Sequence, residues 1–282
     1  MTFDTINSSP VGIRMLDHLV GDGFATARPL TDLTEAALYE IVTRAAVEVS
    51  SQKWSTCPGR FWPWEERVSA ELVERLAGAV AASAAARWWS GGAFDRAQVW
   101  LGQEDAVPTG GRSSVACGGK PRAEIWTSSA VVGHPSAWWP VMKDGADGPP
   151  PDGPCSIWQL TPQSDAQVSE IRAPSDYGRL CEAFPGPVAD GWVVPDWEAA
   201  AEHYDGIHLT VEGLIRAQGV VIETDQGLAM LDNWDAESTA WLRWPVASLE
   251  RIGTIEPEHV GREVRNAEVG RGRVSRRARR RS

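Results

Sequence analysis

Apolar residues recur at helical spacing in the first part of the chain and at strand spacing after about residue 90. Leu38, Ile41, Val42, Ala45 and Val49 form one stripe, which predicts a helix over 32–49 with Asp32 and Glu35 as a capping box. Val68, Leu72, Val73, Leu76 and Val80 share a face and predict a second helix over 65–88, with an alanine-rich end of high helix propensity. The stretch between them, "WSTCPGRFWPWEE", reads as an aromatic loop. Short β-branched or aromatic runs bounded by Gly and Pro then predict strands at 96–102, 123–131, 155–161 and 166–171. Further strands are predicted at 219–223 and 237–244, a short strand or turn at 206–210, and a strand at 249–255 to close the sheet. Short helices are predicted at 175–184 and 195–204, and "DGADGPPPDGP" (144–154) reads as a loop. Helices first and mostly strands afterwards give an α+β class rather than a doubly wound parallel sheet. No G-x-G-x-x-G fingerprint or phosphate-binding loop is present, which disfavours a dinucleotide fold of that type.

Charge divides the chain differently. Residues 262–282 hold nine arginines and two glutamates, so a +7 tail follows a body of −18 in a protein of net charge −11. Such a tail suits a polyanion, because each bound arginine releases counterions from a nucleic acid. Arg276, Arg277, Arg279, Arg280 and Arg281 are its densest part. The four cysteines show no C-x-x-C spacing, which disfavours zinc and a disulfide frame and fits a reducing cytoplasm. Neither a signal peptide nor an apolar run of membrane-spanning length is evident. Arginine outnumbers lysine 24 to 3, which points to a GC-rich genome such as that of an actinobacterium or its phage.

Three segments concentrate chemistry. "DNWDAESTAWLRW" (232–244) places Asp235 and Glu237 two apart, so on a strand both carboxylates face one way, fenced by Trp234 and Trp241. Desolvation and mutual repulsion would tune such a pair, although surface carboxylates beside core tryptophans are a common alternative. "IWTSSAV" (125–131) sets Thr127 and Ser129 on one face of an apolar strand and Ser128 on the other. "HYDGIHLTVEG" (203–213) offers Tyr204 to stack on a ring and His208 to bond a sugar hydroxyl; the five-residue spacing of His203 and His208 does not suit a metal. No G-x-S-x-G elbow supports a serine hydrolase.

These segments, with "SAWW" (136–139) and "VSEIRAPSDYGRL" (168–180), resemble a group of actinobacterial and phage proteins that in turn look like the ADP-ribosyltransferase superfamily. Its hallmarks are an early arginine or histidine on a strand, a central Ser-Thr-Ser strand and a late [Glu/Gln]-x-Glu motif. Thr127–Ser128–Ser129 matches the second and Asp235-Ala236-Glu237 the third, with Asp in place of the usual Glu or Gln; Arg96 is the available first arginine.

The resemblance implies a split two-sheet catalytic core over 94–258; the apolar pattern sets a helical region over 1–93 before it, and the charge pattern a basic tail over 259–282 after it. It implies NAD as co-substrate, Glu237 as the catalytic carboxylate and Asp235 facing the acceptor. Arg96 would neutralise NAD phosphate, and Thr127, Ser128 and Ser129 would hold Glu237 and the ribose. Tyr204, or a tryptophan such as Trp126, would stack on nicotinamide, and His208 would bind beside it. With the tail, the expected acceptor is DNA or RNA, with protein next. A non-catalytic nucleic-acid-binding protein and a structural protein with core tryptophans are the contrasting readings.

Overall fold

The computed structural model describes residues 6, 8–22, 34–51, 70–82, 97–103, 106–108, 120–121, 123, 125–130, 134–143, 153–244 and 246–256. Arg96, the aromatic loop at 54–66, the tail from 257 and most of the 144–154 loop lie outside them.

Three helices lead. α1 (Pro10–Gly21) starts where Ser9 accepts the Gly12 N–H at 3.1 Å and Pro10 presets the first turn. α2 (Glu35–Ser51) carries the predicted stripe, and Thr34 accepts the Ala37 N–H at 3.2 Å at its start; Asp32 of the expected capping box lies outside the described residues. α3 (Ala70–Ala82) lies within the second predicted helix, whose two ends fall outside the described residues. Leu16 and Leu19 of α1, Leu38, Val42 and Val49 of α2, and Leu76 of α3 are buried together. Burial of each such side chain contributes roughly 1.5–3 kcal/mol. The same apolar core continues to Ile207, Leu209, Ala240 and Leu242 of the sheet.

Eleven strands are assigned among the described residues: β1 (Gln98–Gln103), β2 (Trp126–Ser129), β3 (Cys155–Pro162), β4 (Val168–Ile171), β5 (Pro185–Ala189), β6 (Trp192–Pro195), β7 (Gly206–Leu209), β8 (Val221–Thr224), β9 (Gly227–Met230), β10 (Ser238–Trp241) and β11 (Val246–Ile255). Four short helices accompany them: α4 (Trp139–Lys143), α5 (Pro174–Ala183), α6 (Trp197–Ala201) and α7 (Val211–Ala217). Two mixed sheets result. One has seven strands in the order β11-β3-β1-β2-β10-β7-β4, and the other four in the order β5-β6-β9-β8. In the larger sheet only β4 and β7 run parallel.

The fold is therefore mixed α and β with two sheets, and it differs from expectation in detail. β11 pairs with β3 alone and forms an edge rather than closing the sheet. Its two register shifts and its Glu250 and Arg251 suit an exposed edge, where bulges and charges discourage pairing with another chain. Among the described residues no helix is long and apolar enough to cross a membrane.

Candidate active site

β10 enters the middle of the large sheet, between β2 and β7. The register sets Thr239 opposite Thr127 on one side and His208 on the other. Cross-strand partners share a face, so Thr127, Ser129, Thr239 and His208 form one polar strip. Gln98 joins it from β1, opposite Ser129.

Glu237, just before β10, reaches Ser129 with both oxygens. The Ser129 N–H donates to Oε2 at 2.9 Å and its hydroxyl to Oε1 at 2.9 Å. The carboxylate is only 2 % exposed. Hydrogen bonds of this kind to an ionised acid are stronger than neutral ones.

A chain of hydrogen bonds fixes the rest of the strip. The Trp241 indole N–H, a donor only, gives to Thr127 Oγ1 at 2.8 Å, and Thr127 donates to Gln98 Oε1 at 2.9 Å. Thr239 donates to the same Gln98 oxygen at 2.9 Å. Having spent its proton there, Thr239 Oγ1 accepts from His208 Nδ1, 2.9 Å away. Neutral His208 is thus the Nδ1–H tautomer, with Nε2 facing Glu237 Oε1 at 3.4 Å. Burial, and secondly the Arg172 charge, lower the His208 pKa to about 3. At neutral pH the His208 ring is therefore uncharged, and its contact with Glu237 is not an ion pair.

This has a measurable consequence. In the unfolded chain His208 titrates near 6.5, so between pH 6.5 and about 3 the unfolded state binds the extra proton. Stability is full above pH 6.5 and falls with pH by up to about 1.4 kcal/mol per unit from this residue. Urea melts at pH 7 and pH 4.5 should show a smaller drop for His208→Gln than for the parent chain; equal drops would contradict a buried neutral ring.

The expected pairing of Asp235 with Glu237 on one strand face does not occur. Residue 235 precedes β10 in a tight turn with φ 62°, and the Ala236 N–H bonds the Trp234 carbonyl at 2.7 Å across it. Asn233 also has positive φ, 58°. Such backbone at a non-glycine residue costs on the order of 1–3 kcal/mol and must be held by its surroundings. Asp235 is buried in this turn, and its charge reaches Asp232. The Asp232 carboxyl is raised above its ordinary range chiefly by burial, opposed by the Asn233 N–H.

Trp234 and Trp241, which flank the two acids in the sequence, are buried in packing. Trp234 is buried edge-on against Trp126, with ring centroids 5.1 Å apart. Trp241 lies over Gly206, where an added Cβ would meet its ring at 3.0 Å. Trp126 and Ser128 occupy the strand positions alternate to Thr127 and Ser129, on the opposite face. The Lys120 ammonium sits 5.2 Å from the Trp126 ring centroid. Tyr204 belongs to another group of rings, T-shaped against Phe184 at 6.0 Å. Arg96 and the five tail arginines lie outside the described residues.

Three residues of the site escape sequence reasoning. Gln98 is a polar residue in the apolar run "AQVWL" and accepts both threonine hydroxyls. Tyr39 sits beside the apolar stripe of α2, and its hydroxyl accepts the Glu237 N–H at 3.1 Å. Gln218 accepts the N–H groups of Trp234 and Asp235, each at 3.2 Å. Among the described residues no cluster of His, Cys, Asp and Glu has the makings of a metal site.

Comparison with protein families, with curated proteins and with solved structures returns no match to this chain.

Proposed function

We propose that the chain is an NAD-dependent ADP-ribosyltransferase with Glu237 as its catalytic carboxylate. The observation that carries this reading is the two-point hold of Ser129 on Glu237 across β2 and β10. It joins the hydroxyl strand to the late glutamate, the two motifs on which the resemblance rests. In the proposed reaction, the bond between nicotinamide and ribose breaks with its electron pair leaving on nicotinamide. Glu237 bonds the ribose 2′-hydroxyl and stabilises the cationic sugar, as carboxylates do at glycosidic centres. An acceptor nucleophile then closes the new bond and loses its proton. Since the carboxylate is 2 % exposed, this route requires the face over Ser129 and Glu237 to open to NAD.

The acceptor we favour is nucleic acid, from the nine arginines of 262–282. Labelled NAD incubated with DNA, RNA or cell lysate tests both halves of the reading. Transfer to nucleic acid is expected, with strong salt dependence. Deleting 262–282 should weaken that transfer at least about tenfold at 150 mM salt while cleavage of free NAD continues. Transfer to protein alone would reassign the acceptor, and absence of any NAD cleavage would end the enzymatic reading.

One observation favours a non-catalytic alternative. The deep burial of Glu237 amid a satisfied hydrogen-bond chain is also what a structural acid needs. Substitution at Glu237 separates the two.

A further inference from the structure

Backbone N–H groups of the Trp234–Glu237 turn converge on one helix far away in sequence. The Glu237 N–H ends on Tyr39 of α2. The Trp234 and Asp235 N–H groups end on Gln218 Oε1. Gln218 Nε2 in turn donates to the Ala46 carbonyl at 2.9 Å and to the Ser50 hydroxyl at 3.0 Å, both on α2. Positions 39, 46 and 50 fall on one face of that helix, seven and four residues apart. The bracket spans 172 residues from Gln218 to Ala46.

The orientation of Gln218 is not arbitrary. Its oxygen accepts two N–H groups and its nitrogen donates two protons, which uses the capacity of both ends. A flipped amide would set NH2 against two backbone donors. Tyr39 is equally constrained: it is fully buried, and burial followed by the Glu237 charge raises its pKa well above the usual value, so it remains a neutral hydroxyl. Inside the turn, the Trp234 indole donates to Ser238 Oγ at 2.8 Å and Ser238 donates to the Ala236 carbonyl at 3.2 Å. The turn is thus tied internally and hung from α2.

We infer that Tyr39 and Gln218 are positioning residues that hold the turn at 233–236, with its two left-handed residues, and so aim the Glu237 carboxylate at Ser129. The inference rests on the reading of Glu237 as the catalytic group. It gives the helical N-terminal region a role in the reaction, through the backbone of the catalytic segment rather than through contact with substrate. A carboxylate displaced by a fraction of an ångström from its productive position loses rate far more than binding.

The test uses the full-length chain with Tyr39→Phe, Gln218→Met and the milder Ser50→Ala, which removes one of the two α2 anchors of Gln218. The kcat for NAD cleavage is expected to fall roughly 10- to 100-fold in the first two and less in the third, with KM changed by less than about threefold. Amide exchange at Asp235 and Glu237, read by NMR, should quicken in the same order, while exchange in β1 and β3 stays as in the parent. Unchanged kcat in Tyr39→Phe and Ser50→Ala would overturn the inference, as would loss of protection spread evenly over the whole sheet. Should Gln218→Met fail to fold, the other two variants decide. If the parent chain cleaves no NAD, the proposed function fails by itself, and unchanged Asp235 and Glu237 exchange in the variants would separately refute the bracket.

Discussion

Glu237→Gln is expected to lower NAD cleavage by roughly 10²–10³-fold with the fold intact, the scale on which removal of a transition-state-stabilising group acts. The hydrogen-bond directions say why folding survives. Glutamine can keep its oxygen where Oε2 accepts the Ser129 N–H. Its NH2 then occupies the position of Oε1, facing the Ser129 hydroxyl at 2.9 Å and His208 Nε2 at 3.4 Å. Both can accept: the hydroxyl by rotating, the imidazole because its proton is on Nδ1. What is lost is the charge that would offset a cationic ribose. Circular dichroism and thermal melting should match the parent chain while NAD turnover collapses. Turnover at the parental rate would show that Glu237 is a structural acid.

Gly213→Ala is expected to destabilise the chain by roughly 3 kcal/mol or more, the upper range for overpacking at a rigid contact. A Cβ at residue 213 would stand 2.0 Å from the Ile171 carbonyl oxygen and 2.9 Å from its carbon. The obstacle is backbone, and it cannot swing aside as a side chain can. It is also pinned, because Ile171 O accepts both the N–H and the hydroxyl of Thr210, the residue that caps α7. Relief requires α7 to move off β4, and Gln218 is the residue that ends α7. The variant should therefore melt about 6 °C or more lower. Its residual folded fraction should also show faster amide exchange at Asp235. A melting point unchanged within a degree would mean that α7 docks more loosely than described.

Periodicity made much of the fold legible. The stripe of α2 and the alternation around Thr127 and Ser129 depend on local spacing, which the sequence states directly. The elements that escaped do so for local reasons. β5 and β6 lie in "PGPVADGWVVP", where Pro185, Gly186 and Pro187 read as loop. Proline is tolerated there because β5 is an edge strand. α1 carried a Ser-Pro start, yet it is only twelve residues long and its stability comes from α2 and α7. In the site, Ser129 and Glu237 could be named from face alternation and motif. The parity argument failed at Asp235 because the strand begins three residues later and the turn before it reverses the backbone. Tyr39, Gln98 and Gln218 were not nameable, since their roles depend on partners 16 to 198 residues away.

The place of β10 also bears on how the chain assembles. Ser129 and Glu237 are 108 residues apart, and β10 is the tenth of eleven strands although it lies near the centre of the sheet. A chain emerging from the ribosome as far as β9 could pair β3, β1 and β2 on one side and β7 with β4 on the other. The gap between them would wait for a strand not yet made. Contacts this distant in sequence form slowly, and open strand edges invite wrong partners meanwhile. A chain interrupted there would have neither a joined sheet nor an acid beside Ser129, so the strand that bridges the two halves also brings Glu237, the proposed catalytic carboxylate, into place.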